Sequence, residues 1–178
     1  IFAVETEIKS HTTIRQTRVW IFKPGKWLLV FDWFHDNLKA PHTVRQWWHT
    51  SPDHIVMLTG DSYKVITKEY SVWVHSLVKG VEAGAVILGQ MKPKIQGFWS
   101  PAERKAEPAA AFHYALRDRF TASFATLFSL SKEAPKQLYS NIAPSGRKAQ
   151  FSWNDSNGKH RIKMQRPADG DWQIDYNI

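Results

Sequence analysis

The chain has 178 residues, with 24 Lys+Arg against 16 Asp+Glu for a formal charge of +8. Hydrophobic residues make up 43% and aromatics 13%, enough for one domain to bury a core and too much for a disordered chain. No run approaches the ~18–20 apolar residues of a membrane-spanning helix, and the lack of Cys excludes disulfide scaffolds, Cys-ligated zinc, iron–sulfur clusters and thiol nucleophiles.

The chain opens on Ile1 without a basic-then-apolar leader, so it is expected to be a processed product or a piece of something longer. Thr13 to Lys23 is rich in β-branched and aromatic residues, Pro24-Gly25 punctuates it, and Lys26 to Phe34 follows. That pattern predicts a hairpin whose second strand, almost continuously apolar, is covered on both faces. His35 to Pro41 is a polar connection, and His42 to His49 is a third strand.

Short pieces follow at the spacing of an all-β sandwich: Ile55–Leu58, Tyr63–Thr67, Ser71–Ser76, Ala85–Met91 and Gln96–Trp99. Pro108–Leu116 and Phe120–Leu130 come next, with the run Ala109 to Ala111 leaving a short helix open in the first. Gln150–Trp153, a loop at Asn154–Gly158 and Lys159–Arg166 predict another hairpin. In the last run Trp172, Ile174, Tyr176 and Ile178 alternate with polar residues, a strand with one wet face. The expected fold is a single all-β domain over residues 1–178, a two-layer antiparallel β-sandwich with at most one or two short helices.

Several chemistries are missing from the sequence. It contains no G-x-G-x-x-G or G-x-x-x-x-G-K-[ST] phosphate cradle, no H-E-x-x-H helix and no G-x-S-x-G elbow. Of its eight His, three fall at 35, 42 and 49, with Asp32 and Asp36 close by. Asp32, His42 and His49 are weak metal-ligand candidates, because no pair has a recognised ligand spacing. His42 and His49, seven apart, point to opposite faces of a regular strand. The plainer expectation is strand-end histidines bonded to backbone or solvent.

The positive charge has a pattern. Lys159, Arg161 and Lys163 take alternate positions, which on a strand sets three cations in a row about 6–7 Å apart. Arg15, Arg18, Arg45, Arg104, Lys105, Arg117 and Arg119 add to the excess. Such a surface attracts a polyanion or simply serves solubility and edge protection. Nucleic acid is not the expected partner, since no RNP-type run, helix-turn-helix or basic helix occurs. An acidic glycan would use the same cations with an exposed aromatic against a sugar ring.

Longer phrases narrow this. Arg18-Val19-Trp20-Ile21-Phe22 leads to Trp27-Leu28-Leu29-Val30-Phe31-Asp32, then to His42 through Trp47-Trp48-His49. Gly97-Phe98-Trp99-Ser100-Pro101, Glu107-Pro108 and Phe124-Ala125-Thr126-Leu127-Phe128 follow. In this order, over about residues 12–130, the phrases resemble the C-terminal β region of the heparinase II/III-like polysaccharide lyases.

The resemblance implies a β-sandwich from a secreted or periplasmic bacterial enzyme that cleaves uronic-acid polysaccharides, such as glycosaminoglycans or alginate, by β-elimination. It also implies an upstream helical domain that carries the family's catalytic Tyr and His. The family's metal ligands sit in His-x-His and His-Asn-Thr phrases, and neither phrase occurs here; Ser10-His11-Thr12-Thr13 is no match. No catalytic residue and no cofactor is therefore expected in this chain, and any divalent metal belongs upstream. Arg45, Trp47 and His49, on one face of the third strand, and Lys159, Arg161 and Lys163 are the glycan-binding candidates. A stand-alone glycan-binding module and a metal-dependent enzyme using His42, His49 and Asp32 are the competing expectations.

Overall fold

The computed structural model describes residues 1–9, 13–103 and 105–177, with only the backbone of 7–9. Ser10, His11, Thr12, Arg104 and Ile178, which entered the sequence reading, lie outside the described residues. In chain order the strands are β1 (Phe2–Lys9), β2 (Ile14–Lys23), β3 (Trp27–Asp36), β4 (His42–His49), β5 (Ile55–Thr59), β6 (Ser62–Ile66), β7 (Ser71–Ser76), β8 (Glu82–Ala83) and β9 (Ile87–Leu88). They continue as β10 (Phe98–Trp99), β11 (Glu107–Pro108), β12 (Ala110–Arg119), β13 (Thr121–Ser129), β14 (Lys136–Ile142), β15 (Lys148–Asp155), β16 (Gly158–Gln165) and β17 (Gln173–Asn177). No helix occurs among the described residues.

All pairings are antiparallel. The long sheet runs β1-β2-β3-β13-β7-β6-β5, with β3 joined to β13 in unbroken register from His35↔Thr121 to Trp27↔Ser129. One face of it, carrying Val19, Ile21, Leu29, Phe31 and Leu127, buries against a four-stranded C-terminal sheet, β14-β15-β16-β17. There Trp27 meets Trp153 edge-on at 5.2 Å, and Phe31 meets Phe151 at 5.6 Å. The other face, carrying Tyr63, Val65, Val74 and Phe124, packs on a small sheet of order β4-β12-β8. Tyr63 lies against Phe112 at 4.4 Å and donates to the Gly84 carbonyl at 2.6 Å.

The antiparallel sandwich is as expected, but it has three layers where two were expected. The central β3, flanked by β2 and β13, is buried on both faces. The apolar run in its sequence, interrupted only by Asp32 between Trp27 and Phe34, is the trace of that position.

Other local expectations change. The run Pro108–Leu116, where a short helix was the competing reading, is strand from Ala110 on, because Ala111 and Ala115 are closely covered between β4 and β8–β9, where tertiary packing overrides alanine's helix preference. The loop expected over 154–158 shrinks to a tight turn, since Asp155 already pairs with Gly158. Of Ala85–Met91 only β9 pairs as a strand, and β1, β8 and β14 were not foreseen.

Asp36 explains why β4 starts where it does. Its carboxylate accepts from Thr13 Oγ1 (2.6 Å), from the amides of Leu38 and Ala40, and lies 2.8 Å from His42 Nε2. The Thr13 bond, then the His42 bond, hold its carboxyl well below the usual carboxylate range. This hub ties the 37–41 connection to the first residue of β4.

Candidate functional site

Alternation along β4 divides its side chains. Val44, Gln46 and Trp48 turn toward the long sheet, and Arg45, Trp47 and His49 turn away. The three outward residues share one face, as the sequence placed them. On β12 the neighbour of Trp47 is His113, whose ring lies 4.2 Å from the indole, and Trp47 also stacks toward His49 at 6.4 Å. His49 Nε2 stands 3.2 Å from the Gln96 side-chain amide. Burial first, and the Arg45 guanidinium second, push the His113 imidazole below its ordinary value, so it stands neutral under Trp47 near pH 7.

Arg45 and Trp47 also border a small cleft of about 160 Å³, where Arg18, Asp32 and Gln46 meet them. Its base is a closed polar network. Arg18 grips Asp32 through Nε (2.6 Å) and Nη2 (2.7 Å), Gln46 Nε2 donates to Asp32 at 2.8 Å, and Thr126 Oγ1 donates to Gln46 at 2.5 Å. The Arg18 guanidinium lies over the rings of Trp20 and Trp48. The cleft thus presents Arg45, the exposed part of Arg18 and the Trp47 indole.

Sequence reasoning missed His113 and Gln96. His113 sits in the run that left a helix open, and Gln96 reaches His49 only through the folding of the 84–97 segment. Gly84 fixes the pair from behind: a Cβ there would lie 2.2 Å from His113 Cε1. Gly84→Ala is expected to expel the His113 ring from beneath Trp47 and to cost about 1–3 kcal/mol, read from urea unfolding together with the near-ultraviolet signal of Trp47.

The metal-ligand candidates are not brought together. Asp32 is occupied by Arg18 and Gln46, His42 by Asp36, and His49 by Gln96. Among the described residues no group of three or more His, Asp or Glu is placed to hold a metal ion. Asp32, His42 and His49 therefore do not make up a ligand set.

Lys159, Arg161 and Lys163 project from β16 to solvent while His160, Ile162 and Met164 are buried. They lie on the outer face of the C-terminal sheet, across the long sheet from Arg45, Trp47 and His49. The two trios are therefore on opposite sides of the molecule and cannot grip the same sugar. No helix among the described residues is long and apolar enough to cross a membrane.

No family model matches the chain, and no curated protein matches it. Solved structures do. A mutant of heparan sulfate lyase HepC from Pedobacter heparinus aligns at TM-score 0.66 and 12% identity, covering 94% of this chain and 28% of that one. The heparinase III BT4657 gene product aligns at TM-score 0.67 and 12% identity, covering 92% of this chain and 26% of that one. This chain spans about a quarter of the length of these lyases. At such identity the likeness is one of fold: these strands form a sandwich also found in heparinase-type polysaccharide lyases.

Proposed function

We propose that this chain is the C-terminal β-sandwich domain of a heparinase II/III-like lyase that cleaves an acidic, uronate-containing polysaccharide by β-elimination. The observation that carries the reading is the fold match over more than nine-tenths of the chain to two such lyases. The order of phrases from Arg18 to Phe128 supports it independently. In this chemistry a base removes the proton α to the uronate carboxylate, and that carboxylate must be neutralised for the proton to become acidic enough.

Arg45 would supply positive charge to such a group, Trp47 a ring for the sugar face, and His49 and Gln96 hydrogen-bonding edges. The base is assigned to an upstream helical domain and not to this chain. A periplasmic or secreted location goes with the reading. The half-exposed apolar groove near Val4, Trp20, Phe22 and Tyr70, about 670 Å³, would rest on that helical domain, since the matched lyases are nearly four times as long as the part they share with this chain.

The test is to incubate the purified chain with heparan sulfate, alginate and hyaluronate and to follow the ultraviolet absorbance of unsaturated uronide. No rise is expected. In the full-length protein, Arg45→Gln and Trp47→Ala are expected to raise KM several-fold while leaving the fold intact. Turnover by this chain alone, abolished by a point substitution, would contradict the reading.

A further inference from the structure

The outer face of the C-terminal sheet is composed unlike a surface that only meets water. Its outward positions carry Lys148, Gln150, Ser152 and Asn154 on β15, Lys159, Arg161 and Lys163 on β16, and Gln173, Asp175 and Asn177 on β17. Register sets Lys159 beside Asn154, Arg161 between Ser152 and Asn177, and Lys163 between Gln150 and Asp175. Four cations thus share these three strands' outer positions with one carboxylate.

Elsewhere some basic side chains find acids, as in Arg18–Asp32, Arg117–Glu82, Lys136–Glu133 and Arg166–Glu5, while others, Arg45 and Arg147 among them, have none among the described residues. Lys148, Lys159, Arg161 and Lys163 have no ion-pair partner among the described residues. Edge protection does not account for the stripe, because β16 is an inner strand with β15 and β17 on either side. Like charges about 6–7 Å apart along one strand repel each other. A ligand with repeating anionic groups would relieve that repulsion.

The relief of the face fits a long ligand. One depression, about 340 Å³, is lined by Tyr139, Gln150, Ser152, Asn154, Lys159 and Arg161. A second, about 410 Å³, is lined among others by Asn141, Lys148, Gln150, Lys163 and Asp175. The two adjoin at Gln150 and lie side by side across the strands. Tyr139, 47% exposed, offers a ring in the first depression. The amides and hydroxyls around it suit a ligand rich in hydroxyl groups. Single-stranded nucleic acid would call for several stacking rings, and Tyr139 is the one aromatic that lines these depressions with an exposed ring.

We infer that this face is a second binding surface for a linear acidic polysaccharide, separate from the Arg45–Trp47–His49 face and lying on the opposite side of the molecule. It holds a chain by its carboxylates or sulfates and does no chemistry on it. The inference does not depend on the lyase reading, so the two fail separately.

The test is titration of a defined heparin oligosaccharide into the purified chain at several salt concentrations. The triple variant K159Q/R161Q/K163Q is expected to lose affinity about ten-fold or more and to flatten the fall of log affinity with log salt. Tyr139→Ala is expected to weaken binding several-fold with the salt slope unchanged. K79Q/K92Q/K94Q removes the same charge from exposed loops and is expected to bind as the parent does. Should the triple variant not fold, R161Q alone is expected to lose several-fold. The inference is overturned if the stripe variants bind within two-fold of the parent. It is equally overturned if the loop variant loses as much, or if single-stranded DNA of matched charge binds as tightly as heparin.

Discussion

Replacing Asp32 by alanine is expected to cost the fold about 3–5 kcal/mol, a large effect for a single polar substitution. Asp32 is 3% exposed and accepts both arms of the Arg18 fork and the Gln46 amide. Its removal leaves a half-buried guanidinium between Trp20 and Trp48 with no anion, and a buried amide with no acceptor. Asp32→Asn keeps the volume and one acceptor oxygen, so its cost falls to about 1–3 kcal/mol. The double variant R18M/D32L removes both charges, replaces them with apolar volume, and is expected to recover most of the loss. Urea unfolding of the four proteins checks this. A cost below about 1 kcal/mol for Asp32→Ala would mean that the pair is solvated and that the network does not join the two sheets. The same geometry explains why Asp32 is a poor metal ligand: a cation there would first have to displace Arg18.

The second large effect is on stability against pH. His75 is buried on β7, its Nδ1 2.8 Å from Ser62 Oγ and its Nε2 with no hydrogen-bond partner among the described residues. Burial pushes its imidazole down to about 4. In the unfolded chain a histidine takes up its proton near pH 6.5, so between about 6.5 and 4 the unfolded state binds the proton and the folded state does not. Stability is therefore complete above pH 6.5 and falls as pH drops through that window, by roughly 3 kcal/mol at its foot. His75→Phe removes the titration, and its unfolding free energy is expected to change much less between pH 7 and pH 4.5. His113, also lowered by burial, leaves part of the slope in place. Asp36, whose carboxyl is lowered, adds its own loss only at more acid pH, as the carboxylate protonates. An unchanged slope in His75→Phe would show that the ring is solvated.

The strands that carry the candidate residues were legible in the sequence where local pattern and burial agree. The hairpin of β2 and β3, the full span of β4 and the alternation of β16 follow from residue type alone. The apolar continuity of β3 even foretold its two covered faces. What local pattern does not contain is partnership. That β3 pairs with β13, some ninety residues on, depends on the whole topology, as does the assignment of β4 and β12 to a sheet of their own.

The missed site residues have the same origin. His113 is outward-facing in a strand whose alanines favour helix in isolation. Tyr139 is hidden because a bulge at Gln137, where φ is +52°, breaks the alternation of β14. Conversely, the spacing of Asp32, His42 and His49 said nothing of Arg18, Asp36 and Gln96, which occupy them.

The most direct test of the account is to map heparan sulfate oligosaccharide onto the isotope-labelled chain by amide chemical shifts. The account predicts two separate sets of shifts, one around Arg45, Trp47, His49 and His113 and one across β15 and β16 from Lys148 to Lys163, with the oligosaccharide recovered intact. Shifts confined to the apolar groove, no shifts at all at moderate salt, or an unsaturated product in the tube would contradict it.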